Sequence, residues 1–144
     1  LTNLEVSDNV AADEGGGAFF GETTINIDGA IFSGNESVTT GGGIHARSIT
    51  GTWTDVEFEG NTSATGGGLR ISTDTDGVSC TDCTWTDNEA TTTGGAISIS
   101  SGELDINTSG FSGNTPATDV IDSGSTYTTS GTSVDLTCDG ASCY

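Results

Sequence analysis

The sequence predicts an all-β chain wound into a parallel β-solenoid of about five to six coils, each of about 26 residues carrying three short strands. Three observations lead there. An apolar residue, two polar or small residues and an asparagine recur as Val6-Ser7-Asp8-Asn9, Phe32-Ser33-Gly34-Asn35, Phe58-Glu59-Gly60-Asn61, Trp85-Thr86-Asp87-Asn88 and Phe111-Ser112-Gly113-Asn114, with the asparagines 26, 26, 27 and 26 residues apart. A glycine cluster entering an apolar strand keeps step with the first four: Gly15-Gly16-Gly17-Ala18, Gly41-Gly42-Gly43-Ile44, Gly66-Gly67-Gly68-Leu69 and Gly94-Gly95-Ala96-Ile97. Between them run short alternating stretches such as Val56-Glu57-Phe58, Ile97-Ser98-Ile99 and Leu104-Asp105-Ile106, with no helical period.

Each element of a coil has a reason. Two residues before the motif aromatic stand Leu4, Ala30, Val56, Cys83, Ser109 and Val134, mostly small or apolar. One residue before it stand Glu5, Ile31, Glu57, Thr84, Gly110 and Asp135, so alternation assigns inside and outside. At the corner, Asn9, Asn35, Asn61, Asn88 and Asn114, with Asp139 in a weaker sixth copy, are expected to stack as a ladder that bonds along the column and to turn backbone. Gly16, Gly17, Gly42, Gly43, Gly67, Gly68, Gly94 and Gly95 are expected to turn an opposite corner through left-handed or strained backbone that penalises a Cβ.

These motifs resemble the FxxN and GGAI repeats of polymorphic outer-membrane proteins and of many secreted proteins of the pectin-lyase-like superfamily. The resemblance runs from about Val6 to Asn114, with a decayed copy to Asp139. It implies a right-handed parallel β-helix, secretion and a surface or adhesive role; the general rule for parallel crossovers gives the same hand. The fifth unit departs from the pattern, with Thr118-Asp119-Val120-Ile121 in place of the glycine pair. One solenoid domain is therefore expected over residues 1–144, regular from about 4 to 118 and irregular from about 119.

Composition narrows the partners. An apolar share of 31% allows only a thin core, yet the regular spacing of aromatic and β-branched residues argues against disorder. Two basic against 21 acidic residues give a net charge of -19, which disfavours nucleic acid and anionic membranes and leaves loose, non-specific calcium binding as the only ion expected, with no cofactor. No stretch is long and apolar enough for a transmembrane segment. The close pairs Cys80/Cys83 and Cys138/Cys143 suit local disulfides in an oxidising compartment, with zinc as the rival reading. Cys80 occupies the position of Ile27, Trp53 and Ile106, and Cys83 the inward column, so both are expected near one corner of the core.

Few residues can do chemistry. His45 and Arg70 are expected side by side on adjacent coils, flanked by Phe20 and Ser98, with Arg47 nearby; relief of repulsion on an acidic surface is the expected role, and no catalytic residue or metal site is expected. Asp74-Thr75-Asp76-Gly77 lacks the later ligands of a calcium loop and is expected to be a solvated turn. Of the glycosylation triplets at Asn35, Asn61 and Asn107, the first two belong to the ladder, which leaves Asn107 as the acceptor. Rows such as Glu22/Thr24/Asn26, Ser48/Thr50/Thr52 and Thr75/Gly77/Ser79 approach an ice-binding threonine face, but charges interrupt it.

No amphipathic helix is visible to cap either end, and uncapped strand edges stack. The expectation is a non-enzymatic extracellular structural protein, a homopolymer subunit of a surface filament or adhesin joined end to end. A carbohydrate-active or glycan-binding module is the alternative, and an ice-binding solenoid the minor one.

Overall fold

A computed structural model describes residues 1–73, 75–116, 118–121, 126–130 and 137–138. Its strands run in chain order β1 (Thr2–Ser7), β2 (Val10–Ala11), β3 (Ala18–Thr24), β4 (Ile27–Ser33), β5 (Glu36–Ser37), β6 (Ile44–Glu59), β7 (Thr62–Thr65), β8 (Leu69–Ser72) and β9 (Thr75–Thr81). They continue as β10 (Thr84–Thr86), β11 (Glu89–Thr93), β12 (Ile97–Ile99), β13 (Gly102–Asn107), β14 (Gly110–Ser112), β15 (Thr118–Ile121), β16 (Thr126–Ser130) and β17 (Thr137–Cys138). Every ladder between them is parallel, and together they form a β-solenoid of about 4 turns.

Three faces follow from the pairing. The first holds β1, β4, the later half of β6, β10 and β14, joined by β9, β13 and β16; the second holds β2, β5, β7 and β11; the third holds β3, the earlier half of β6, β8, β12 and β15. β6 passes from the third face to the first without a break, bending where Ser48 and Gly51 take φ of 52° and 151°. The turn count falls short of the expected five to six because the repeat decays after β14. There, among the described residues, the second face continues as a single bridge between Glu89 and Thr115, and the ladders draw in so that Ser98 faces Val120 and Leu104 faces Tyr127.

The core is a set of columns one residue wide, which is what a 31% apolar sequence can fill. Ile27, Trp53, Cys80 and Ile106 form one, Ala30, Val56 and Cys83 another, and Ile44, Leu69 and Ile97 a third, all buried. Phe32, Phe58, Trp85 and Phe111 stack face to face with centroids 5.6, 5.2 and 4.7 Å apart. Such aromatic contacts contribute roughly 0.5–1.5 kcal/mol each beyond the area they bury. Because identical positions face one another, each column repeats its own packing problem, and one solution serves every coil.

The left-handed backbone positions mark the corners. Asn3, Gly29, Asp55, Asp82 and Thr108 share one column of positive φ, and Asp8, Gly34, Gly60, Asp87 and Gly113 share a second just before the asparagines. No helix occurs among the described residues, so none is long and apolar enough to cross a membrane.

Candidate functional sites: the corner ladder and the His45 cluster

The asparagine corner is saturated with hydrogen bonds. Asn61 Nδ2 donates to Asn88 Oδ1 at 2.9 Å and to the Phe32 carbonyl at 2.8 Å, while Asn61 Oδ1 accepts from the Asn35 backbone N–H and from Asn35 Nδ2, both at 3.0 Å. Asn35 and Asn88 repeat the arrangement, and Asn114 Oδ1 receives Asn88. Asn35, Asn61 and Asn88 are fully buried, so the triplets at Asn35 and Asn61 offer no free amide to a glycosyl donor. Asn107 ends β13 half-buried, with Thr108 exposed beside it. Asn9 begins the ladder: it donates to Asn35 Oδ1, and among the described residues no donor reaches its own Oδ1. Asp139 lies outside the described residues.

The glycine clusters work differently from the expectation. Left-handed φ falls on Gly15, Gly41, Gly66 and Gly94, the first of each cluster, so of the eight glycines expected at strained backbone only Gly94 has it. The others are needed because coils touch there backbone to backbone. A Cβ on Gly43 would lie 2.6 Å from the Gly68 carbonyl oxygen and 3.0 Å from Phe58 Cδ1, and one on Gly17 2.7 Å from the Gly43 oxygen. Gly16, Gly42, Gly67, Gly68 and Gly95 are hemmed in by the next coil in the same way.

Cys80 and Cys83 form a disulfide with Cα atoms 6.0 Å apart, both side chains buried, bridging the turn at Asp82. Cys138 ends β17, and Cys143 lies outside the described residues, as does Asp74 of the Asp74-Thr75-Asp76-Gly77 segment. Among the described residues, no three His, Cys, Asp or Glu side chains converge as metal ligands would. On the threonine rows, Thr24 Oγ1 lies 2.9 Å from Thr50 Oγ1 and Thr52 is tied to Asn26 Oδ1, while Glu103 and Asp105 break the row further along.

Every His and Arg in the chain gathers on the outer side of the third face. The ladders place Phe19, His45, Arg70 and Ser98 in one row across four coils and Gly21, Arg47 and Ser72 in the next. The first of these rows was expected to begin at Phe20. Phe20 instead pairs with Ala46 and packs against the core, because Ala18, not Phe19, takes the first inward position of β3. The Arg47 guanidinium sits 5.0 Å above the Phe19 ring, a cation–π contact, and Arg70 Nη1 donates to Ser98 Oγ.

His45 is 3% exposed although it points outward. Its Nε2 lies 2.7 Å from Ser72 Oγ, its Nδ1 3.0 Å from Thr40 Oγ1 and 3.5 Å from Glu14 Oε2, and Phe19 packs edge-on at 5.3 Å. Burial pushes its pKa below the usual histidine value; Glu14 and Asp13 pull it back up, while Arg70 and Arg47 push it further down. The imidazole is thus neutral at pH 7. Sequence reasoning found His45, Arg47 and Arg70 but missed Ser72, Thr40 and Glu14. Ser72 was within reach, since it follows Arg70 by two on the same side of β8; Glu14 and Thr40 lie in turns, where strand alternation gives no guide.

Comparison with protein-family models, with curated proteins and with solved structures finds no match. The fold defines the chain as a parallel β-solenoid repeat protein on its own geometry.

Proposed function

We propose that the chain is an extracellular structural protein, a subunit of a surface filament or adhesin that adds to its neighbours end to end. The observation that carries this reading is the edge of the first coil. Among the described residues β1 pairs only with β4, leaving its other side unpaired, and Asn9 Oδ1 extends the corner ladder with its acceptor sites open. Leu4 and Val6 are only half-buried there, whereas their column mates Ala30 and Phe32 in the next coil are fully covered. A second copy that placed a coil on this edge would find donors, acceptors and apolar columns already in register. The buried disulfide and the oxidising conditions it needs support a place outside the cell.

Negative-stain electron microscopy of the purified protein, with and without calcium, tests the proposal. Filaments with a regular axial repeat are expected, and their loss in Val6→Lys, which puts a charge on the open column, would tie assembly to this edge. Monodisperse particles across salt and calcium conditions would overturn it.

A further inference from the structure

We propose that Ser72 is a nucleophile activated by His45, and that the third face transfers acyl groups from small esters whose acyl half carries a negative charge. The inference goes beyond a structural role and does not depend on it, since the side of a rod stays open when its ends are joined.

The geometry is that of a hydroxyl, a base and an orienting acid drawn from three successive coils. Ser72 Oγ is within 2.7 Å of His45 Nε2, and Glu14 Oε2 approaches the other ring nitrogen at 3.5 Å. A carboxylate on the Nδ1 side favours the tautomer with its proton on Nδ1, where Thr40 Oγ1 at 3.0 Å can also accept it. Nε2 is then the bare nitrogen, and the short contact to Ser72 is a serine hydroxyl donating to a base. Burial keeps that base unprotonated at neutral pH. Ser72 itself is half-buried and faces outward from β8 beside the exposed Arg47, its partner in the ladder. Opposite Arg47 on the preceding coil stands Gly21, which adds no side chain over the arginine.

The step balances without a cofactor. Ser72 Oγ attacks the ester carbonyl carbon as its proton passes to His45 Nε2; the tetrahedral centre collapses, the C–O bond to the alcohol breaks, and His45 returns the proton to the departing alkoxide. Water, deprotonated by the same nitrogen, then attacks the acyl-serine and releases the acid. Arg47 and Arg70 are the only fixed cations on a chain of net charge -19, so this is where a negatively charged acyl group meets attraction instead of repulsion. Glu14 acts through His45 and is a positioning residue.

The test uses the full chain with two chromogenic esters, 4-nitrophenyl acetate and mono-4-nitrophenyl glutarate, and intact-mass and peptide mapping of the acylated protein. Expected are acyl-Ser72, a preference for the glutarate ester, and a rate that rises as His45 loses its proton below about pH 6.5 and is flat above it. Ser72→Ala should remove both turnover and label, and His45→Gln should cost about 100-fold or more. Arg47→Gln should raise KM for the glutarate ester far more than for the acetate ester, and should move the pH profile of both upward as His45 loses a neighbouring cation. Glu14→Gln should lower kcat and move the pH profile, with recovery in Glu14→Asp. Circular dichroism shows which variants fold, and labelling of wild-type protein at Ser72 stands without any variant. Absence of turnover and of label with both esters, or equal turnover by folded Ser72→Ala, would overturn the proposal.

Discussion

Asn61 uses every hydrogen-bonding site its amide has, inside a column where water does not reach. Exchanging Nδ2 for an oxygen would take the side-chain donor from the Phe32 carbonyl, leave Asn88 Oδ1 with only the Asn61 backbone N–H, and bury a negative charge against two acceptors. Asn61→Asp is therefore expected to lose roughly 3 kcal/mol or more at pH 7, while Asn9→Asp at the exposed start of the ladder loses under about 1 kcal/mol. Burial raises the folded-state pKa of the new carboxyl, so the deficit is complete above that value and shrinks as pH falls towards the unfolded pKa near about 3.9. Denaturant titration of both variants at pH 7 and at pH 4 checks the ranking and the recovery. The ladder was legible because a corner that must satisfy the same backbone groups in each coil selects the same side chain at each repeat. The His45–Ser72 contact was not, because it runs diagonally between rows and belongs to one place in the chain, where no periodicity announces it.

Between strands, backbone approach decides which glycines matter. Gly43 and Gly60 flank β6 at two different corners and have opposite constraints. A Cβ on Gly43 meets the next coil's carbonyl at 2.6 Å, whereas one on Gly60 meets nothing within 4 Å and has only its φ of 60° against it. Gly43→Ala must push two coils apart and is expected to cost about 1–3 kcal/mol, as overpacked cores do. Gly60→Ala is expected to lose only the roughly 1–2 kcal/mol of a left-handed alanine, since its Cβ meets nothing within 4 Å. Thermal melts of the two variants separate close approach from backbone strain. The sequence marked both glycines by their period, but period alone does not say whether a missing Cβ makes room or frees φ. It also did not reveal that β6 runs unbroken round a corner, since the bend at Ser48 and Gly51 keeps its ladder bonds to the neighbouring coils and leaves no turn signature. The misplaced Phe20 has a related cause: with aromatics at both 19 and 20, alternation permits either to face in, and only the ladder partner of Ala18 decides.

On the scale of the whole molecule, a chain with a charge of -19 repels its own copies, while the proposed end-to-end contact would draw them together. The first effect acts over the Debye length and the second only at contact, so salt separates them. Raising ionic strength from about 0.01 M to 0.15 M shortens the Debye length from about 30 Å to about 8 Å. Glu5, Asp8, Asp13 and Glu14 lie on the first coil, where a docking copy would bring its own carboxylates against them. End-to-end growth is therefore expected to be slow at low salt and to accelerate steeply over that range, with the elongation rate rising at least tenfold by light scattering. Replacing Glu5 and Asp8 by Gln and Asn should flatten the dependence without changing the filament's axial repeat. Calcium and magnesium compared at equal ionic strength divide screening from bridging: equal acceleration means that charge is only screened, and an excess for calcium means that carboxylates of two copies share the ion. Growth that ignores salt altogether would show that the ends do not meet through this acidic coil.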